Sequence, residues 1–233
     1  MMMNVIFRNS ALSVAGLVVT GGVVAGPAMA AQAAPAESKP GVAAQPQPQA
    51  QPPPQPQAQP PPQPAGEGRR VLPHDYQRQP NDYYCAPAAT RIALSTQGKV
   101  VPQRDIAKKL GTTTDGTNSA DDTTRVLNEL TGGGYDTVNI DGPTAEPQQV
   151  DKLRADAVEA IDAKRGVVAN TTGTAVDTSG DQHSFPAGHY MSIVGYRDGG
   201  DTLKIADPYD PSKHYWMSDK KVADWIAERG YSS

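Results

Sequence analysis

The stretch QRQPNDYYCAPAATRIAL, Gln77–Leu94, contains the only cysteine of the 233-residue chain. Small and apolar residues recur in it at i, i+3, i+4, i+7 and i+8, the spacing of one helix face: Cys85, Ala88, Ala89, Ile92 and Ala93. Pro87 suits the first turn of such a helix, and Gly98 follows its end. The pattern predicts a helix with Cys85 at its N-terminus and on its inward face.

A lone cysteine leaves three interpretations: a buried inert residue, a disulfide partner between chains, or a nucleophile. A nucleophilic thiol must ionise, and it needs a base that later protonates the leaving group. It also needs hydrogen-bond donors for the oxyanion. The start of a helix favours the thiolate, but an ordinary core cysteine fits the same position. The rest of the sequence must therefore supply the partners.

A histidine and a carboxylate stand near one end of a predicted β-hairpin. The segments HYMSIVGYR (189–197) and DTLKIADP (201–208) flank a glycine-containing turn, which is typical of two paired strands. His189 opens the first strand and Asp207 ends the second, an arrangement that can orient an imidazole. Taken singly, each residue also fits a surface or turn position. The other histidines lie in contexts where no carboxylate is matched across a hairpin: His74, His183 and His214.

The register of this hairpin decides whether the two side chains meet. Placing Arg197 opposite Asp201 leaves a three-residue loop, for which Gly200 suits the left-handed position. Asp207 then faces Met191, on the same face of the sheet as His189. A loop of two residues would shift the register by one and turn Asp207 to the opposite face.

Gln79 lies six residues before Cys85, in the loop that leads to the predicted helix. Its side-chain amide is a neutral donor that can reach an oxyanion at the start of the helix. The alternative is a solvated loop residue.

The remaining segments predict an α+β fold, with N-terminal helices packed on a C-terminal antiparallel sheet. We expect helices over Pro102–Leu110, after Ser119, over Gln148–Lys164 and after Ser218. Short strands are expected in YDTVNI, GVVAN and HYWMS.

Three segments, QPNDYYCAPAA, GHYMSIVGY and IADP, resemble the papain-like cysteine peptidases of clan CA. The similarity is to the bacteriocin-processing (double-glycine leader) peptidases, and more narrowly to stand-alone secreted domains related to them. This resemblance implies a papain-like fold and assigns Cys85 as nucleophile, His189 as general base and acid, Asp207 as its orienting residue and Gln79 as oxyanion donor. That family commonly has glycine after the cysteine, where this chain has Ala86.

The resemblance favours a secreted cysteine peptidase that hydrolyses peptide bonds through a thioester. A second hypothesis is an amidase or acyl transferase that uses the same triad on cell-wall peptides. A third is a non-catalytic binding module on this fold, with four aromatic residues as contacts: Tyr83, Tyr84, Tyr190 and Trp216.

The first third of the chain predicts export rather than a folded domain. Residues 1–30 combine Arg8 with an apolar run that ends in Ala-Met-Ala, which is typical of a cleaved signal peptide. Residues 31–66 form a Pro/Gln-rich linker in which QPQAQPPP occurs twice, a composition that favours an extended tether. This linker could be a spacer, a pro-segment or a wall-spanning stalk. The peptidase domain would occupy 67–233.

The charge and residue composition exclude several classes of binding partner. The net charge is −4, and no basic stripe suggests nucleic-acid binding. We expect no metal or other cofactor, since there is no second cysteine, no histidine pair at helical spacing and no glycine-rich phosphate loop. We therefore expect a monomeric extracellular protein, free of the membrane after signal cleavage, that acts on a peptide or protein substrate or on cell-wall material.

Overall fold

The computed structural model describes residues 68–209 and 214–233, which belong to one compact unit, Ala58–Ser233. The predicted signal peptide and linker lie outside the described residues. No helix of the described part is long and apolar enough to cross a membrane.

Five helices are present in the described part of the chain: α1 (Cys85–Ser95), α2 (Gln103–Leu110), α3 (Ala120–Thr131), α4 (Pro147–Asp162) and α5 (Asp219–Trp225). Two of these helices begin or end at the capping residues that the sequence predicted. Gly111 adopts a left-handed conformation after α2, and the Ser218 hydroxyl accepts a hydrogen bond from the Lys221 N–H at the start of α5. α4 begins with a capping box between Glu146 and Gln149, which the sequence reading did not include.

Seven strands of the described chain form one antiparallel sheet: β1 (Arg70–Val71), β2 (Thr137–Val138), β3 (Val167–Val176), β4 (Gln182–Arg197), β5 (Thr202–Ala206), β6 (His214–Ser218) and β7 (Tyr231–Ser232). The strand order is β2-β7-β3-β4-β5-β6, and β1 pairs with β4 beside β3. The predicted α+β class is confirmed. The short strands β1 and β7 were not predicted from the sequence.

The sheet is covered on both faces. Leu94 of α1, Ile106 of α2 and Leu127 of α3 pack in one apolar cluster with Tyr190 of β4. The neighbouring β4 residue Met191 belongs to the cluster that α4 and α5 form on the opposite face. α1 is buried along its whole length, since helices α2 and α3 cover the side that the sheet leaves open.

The pairing of β3 with β4 is longer than predicted. The sequence pattern indicated a short strand at GVVAN and a second strand that opens at His189. In the structure both strands extend to a turn at Asp177–Asp181, with Val176 opposite Gln182. Gly173 and Pro186 interrupt the apolar alternation, and a register shift lies between Thr171 and Gly173. These interruptions hid the extension of the hairpin.

The predicted register of the β4–β5 loop is wrong. Arg197 pairs with Thr202 rather than Asp201, so the loop has four residues instead of three. A bulge between Ile193 and Gly195 inserts one extra residue in β4 and cancels this shift, because Ile193 pairs with Ile205. Continuing this register places Asp207 opposite Met191, as predicted.

Candidate active site

Cys85 is the first residue of α1 and is 8% exposed. No side chain in the part of the chain that the structure describes caps this helix: its N-cap is Tyr84, and the first turn contains no acidic residue. Pro87 has no N–H group, which leaves the N–H groups of Cys85 and Ala86 as the donors at the helix start. The positive end of the helix dipole therefore lies beside Cys85, where it attracts negative charge.

His189 and Asp207 meet at the end of the sheet that carries the β3–β4 extension. Nε2 of the imidazole lies 2.8 Å from Oδ1 of the carboxylate, and both side chains are buried. An ionised carboxylate has no proton to give, so Nε2 donates this hydrogen bond. Cys85 interacts with the same imidazole, and because Nε2 faces Asp207, Nδ1 is the nitrogen left for the sulfur. The structure thus brings together the three residues Cys85, His189 and Asp207.

Asp207 is held as a carboxylate by several donors. Oδ1 accepts hydrogen bonds from His189 and from the backbone N–H of Tyr209, and Oδ2 accepts one from the Tyr215 hydroxyl. Burial opposes ionisation, but these bonds and the charge of His189 outweigh it and keep the pKa of Asp207 below its ordinary value. The orientation of the carboxylate is therefore fixed from two sides.

His189 retains a proton well above the usual range of an imidazole. Burial alone would lower its pKa, but the hydrogen bonds to Asp207 and Cys85 and the negative charges of both raise it to about 9. Phe185 stacks on the ring with centroids 3.9 Å apart and planes inclined by 21°. The stacked ring limits rotation of the imidazole about its side-chain bonds and excludes water from one face.

Gln79 lies in a loop that is tied to the Asp207 segment. Its backbone N–H donates to the carbonyl of Pro208 (2.9 Å), and the residue is 7% exposed. The side-chain Nε2 donates to the carbonyl of Asn81 at 2.8 Å. An amide nitrogen carries two hydrogens, so this bond leaves one donor for another acceptor. The alternative of a solvated loop side chain is wrong, because packing of the loop buries the amide.

A cleft of about 410 Å³ opens beside this loop and is lined by Arg78, Gln79, Pro80, Asn81, Asp82 and Tyr209. The Tyr209 ring stands edge-on to the rings of His189 and Phe185, with centroid distances of 6.4 and 5.8 Å. Tyr209 thus lines the cleft and also neighbours the His189 ring.

Comparison with known proteins assigns the family. Residues 71–233 match the model of the Peptidase_C39-like family. The chain belongs to the Peptidase_C39-like family. It is a cysteine-type peptidase, hence a hydrolase, with the papain-like fold of that family. A search of curated proteins gives no match to the sequence.

Solved structures of similar fold include a C39-like peptidase from Bacillus anthracis, at a TM-score of 0.50 and 12% identity over 70% of this chain and 96% of the other. The peptidase domain of Streptococcus ComA, a bifunctional ABC transporter involved in quorum sensing, gives a TM-score of 0.46 and 18% identity over 68% and 96% of the two chains. A double-glycine motif protease from an AMS/PCAT transporter, solved in complex with the leader peptide, gives a TM-score of 0.44 and 15% identity over 70% of this chain and 90% of the other.

Two aromatic residues that contact Asp207 and His189 in this C39-like peptidase were not predicted from the sequence. The hydroxyl of Tyr215, in β6, donates a hydrogen bond to Asp207. The ring of Phe185 stacks on His189, and both of these residues lie in β4. The sequence did contain a signal for Tyr215, because it alternates in HYWMS with residues of the opposite face. Phe185 lies in SFPAG, a segment whose proline and glycine argue against a strand.

A second histidine–carboxylate pair corrects an expectation from the sequence. His183 was predicted to have no carboxylate across a hairpin, yet its Nε2 lies 3.2 Å from Oδ2 of Asp177. Both side chains are buried at the turn of the β3–β4 extension, which the sequence did not reveal. The His183 ring stacks on Tyr215 with centroids 3.8 Å apart, so this pair supports the tyrosine that contacts Asp207.

The aromatic residues considered for a binding module fall into different environments. Tyr190 is buried in the α1–α3 cluster and accepts a hydrogen bond from Asn170, so it is a core residue. Tyr83 and Tyr84 form an edge-on pair before α1. Trp216 lies half-buried on the outer face of β6 among cationic side chains. The four residues do not form one surface. Residues 68–209 and 214–233 contain no cluster of three metal-ligating side chains.

We expect Tyr215→Phe to destabilise the fold by about 1.5–3 kcal/mol, the range for a hydrogen bond to a charged group. The substitution leaves Oδ2 of the buried Asp207 carboxylate without its donor. Urea denaturation followed by circular dichroism gives the free energy of unfolding.

Tyr231→Phe is the matched control. Tyr231 also donates to a carboxylate, but that carboxylate, Asp156, keeps the ammonium of Lys152 as a second partner. The control should lose less stability than Tyr215→Phe, and equal losses would contradict a special role of the bond to Asp207.

Proposed function

We propose that this C39-like peptidase is a secreted enzyme that cleaves peptide bonds through a Cys85–His189–Asp207 triad. The observation that carries the proposal is the burial of His189 between a carboxylate and the cysteine at the start of α1. The assignment of secretion rests on residues 1–30, which read as a signal peptide.

The chemistry begins with the ion pair of thiolate and imidazolium. The sulfur of Cys85 adds to the carbonyl carbon of the scissile bond, and the negative charge moves to the carbonyl oxygen. The Gln79 amide and the N–H of Cys85 are the proposed donors to this oxyanion. His189 gives its Nδ1 proton to the departing amine as the C–N bond breaks, which leaves a thioester on Cys85.

Water completes the cycle. His189, now neutral at Nδ1, takes a proton from a water molecule whose oxygen attacks the thioester carbon. The C–S bond breaks, the carboxylic acid product leaves, and the thiolate–imidazolium pair forms again. Asp207 keeps Nε2 protonated throughout, so that Nδ1 always faces the sulfur.

The direct test is mass spectrometry of a peptide library incubated with the wild type and with Cys85→Ala. Cleavage products that require the wild-type protein support the proposal and reveal the residues preferred on each side of the bond. An identical product set from Cys85→Ala would show that Cys85 is not the nucleophile.

The pH dependence of hydrolysis should have a descending limb near pH 9, since the pKa of His189 is raised to about 9. Below that pH the imidazolium holds the proton that the leaving amine needs. Above it the proton is lost, and kcat/KM should fall as pH rises. The measurement is the initial rate of cleavage of a peptide identified in the library, from pH 6 to 10.5.

Asp207→Asn provides the control for this limb. It removes the negative charge that helps to raise the pKa of His189, and asparagine can still accept the Nε2 hydrogen bond. The descending limb of this variant should lie at lower pH than that of the wild type. A limb that does not move would assign the titration to another group.

A further inference from the structure

Three cationic side chains surround one indole ring, and none of them has a part in the candidate active site. The guanidinium carbons of Arg69 and Arg197 lie 5.4 and 4.9 Å from the ring centroid of Trp216, and Nζ of Lys204 lies 5.1 Å from it. We call these four residues the Trp216 patch. No two of the charges are more than about 10 Å apart, which is one Debye length at 0.1 M ionic strength. Contact with the ring attracts each cation singly, but the three repel one another.

The sheet builds this cluster. Lys204 and Trp216 are paired residues of β5 and β6, and their side chains share one face. Gly195 of β4 pairs with Lys204, and Arg197 lies two residues further along the same face. Arg69 directly precedes β1, which pairs with β4 at this point.

Gly195 has a specific part in this arrangement. A Cβ atom at this position would lie 2.6 Å from the carbonyl oxygen of Arg70 and 2.9 Å from Cα of Val71. The absence of a side chain therefore allows β1 to approach β4, and this approach carries Arg69 to the indole ring.

The charges of the Trp216 patch are poorly neutralised. Among the described residues, Arg197 has one carboxylate nearby, that of the exposed Asp198 at 3.6 Å, and its Nε has no hydrogen-bond partner there. Within residues 68–209 and 214–233, Arg69 and Lys204 form no ion pair, and Nζ of Lys204 donates only to the carbonyl of His214. Burial and the two guanidinium groups lower the pKa of Lys204. The chain as a whole carries a net charge of −4, so this concentration of cations is not a property of the general surface.

We propose that the Trp216 patch binds a multivalent phosphate anion. Guanidinium groups donate two parallel hydrogen bonds to phosphate, and an ammonium group adds a compact positive charge. One multivalent anion would neutralise all three cations, whereas a single carboxylate would leave two of them uncompensated.

The patch is separate from the triad. Trp216 alternates along β6 with Tyr215, whose hydroxyl contacts Asp207, so the two side chains lie on opposite faces of the sheet. Binding at the patch can therefore be measured without reference to peptidase activity, and it does not depend on the proposed function.

The test is a titration of the purified protein with inorganic tripolyphosphate, in which calorimetry and tryptophan fluorescence measure binding. The chain has two tryptophans, and only Trp216 lies among the cations, whereas Trp225 is buried. Arg197→Gln combined with Lys204→Gln should weaken binding by about tenfold or more, which corresponds to the loss of charge-assisted hydrogen bonds. Higher salt should weaken binding by the wild type.

The matched control combines Arg104→Gln with Lys108→Gln, which removes the same charge from the exposed side of α2. This control should bind within about threefold of the wild type, as expected for distant charges that salt screens. If the double variant of the patch does not fold, the exposed Arg69→Gln variant replaces it and should bind several-fold more weakly.

Four outcomes overturn the proposal. These are wild-type protein without saturable binding, a patch variant that binds like the control, an Arg69→Gln variant that binds like the wild type, and competition by poly-glutamate as effective as that by tripolyphosphate at equal charge.

Competition with poly(glycerol phosphate) distinguishes two possible sources of the phosphate groups, a phosphodiester polymer and a free polyphosphate. Displacement of tripolyphosphate at equal phosphate concentration supports a phosphodiester polymer as the ligand, and lack of displacement supports a free polyphosphate.

Discussion

Cys85→Ala and His189→Ala are each expected to lower kcat for peptide hydrolysis by on the order of 10⁴-fold or more. The kcat of the double variant is expected to be no lower than that of the less active single variant. The reason is that the two residues act as one unit. A thiolate without the imidazolium cannot protonate the leaving amine, and an imidazole without the thiolate has no nucleophile to assist. Groups that act together in this way show strongly non-additive losses.

The measurement is a cleavage assay under single-turnover conditions, with quantification of products by mass spectrometry. His74→Gln serves as the control for histidine loss, because His74 bonds to the ring of His214 rather than to a residue of the proposed triad. It should retain hydrolysis within about threefold, because the part-buried ring of His74 bonds to the Leu72 carbonyl and to His214 and has no part in the reacting groups. A double variant whose loss equals the product of the two single losses would show that Cys85 and His189 act independently.

Gln79→Ala is expected to reduce kcat for hydrolysis by on the order of 10²–10³, the usual loss for one oxyanion donor. The rate of Cys85 alkylation by iodoacetamide should change little, because alkylation needs the thiolate but forms no tetrahedral oxyanion. His189→Ala should depress both reactions, since it removes the partner that stabilises the thiolate. The ratio of the two rates in each variant thus separates an oxyanion donor from a residue that activates the sulfur.

Gln77→Ala provides a control in the same loop. Gln77 is exposed, and its side chain accepts a hydrogen bond from Gln103. Its substitution should leave hydrolysis within a few-fold of the wild type. The same modest change for Gln79→Ala would remove Gln79 from the site, and the donors would then be sought at Asn81 and the N–H groups at the start of α1.

The residues proposed for the chemistry were found from the sequence because each occupies a position with a local signal. Cys85 stands where apolar residues at helical spacing begin, and His189 and Asp207 flank two segments that read as a hairpin. These signals depend on residues close in sequence, and so do the capping serine of α5 and the glycine that ends α2. The resemblance of three short segments to one family supplied the roles, which local patterns do not contain.

Tertiary structure decided which side chains surround those residues. The distance from His189 to Asp207 depends on a four-residue loop and a bulge, two local irregularities that compensate each other. The burial of Gln79 depends on a backbone bond to Pro208, which lies 129 positions away along the chain. Tyr215 reaches Asp207 because β6 pairs with β5, an event that neither strand encodes alone.

The sequence by itself therefore determined the fold class, the family and the candidate reactive groups, because helix periodicity, strand alternation and short motifs are written in neighbouring residues. The tertiary structure alone decided the register of the long β3–β4 hairpin, the contacts of Tyr215 with Asp207 and of Phe185 with His189, and the gathering of three cations on Trp216. These features arise from contacts between distant segments, whose pairing depends on sheet packing and bulges rather than on local propensity.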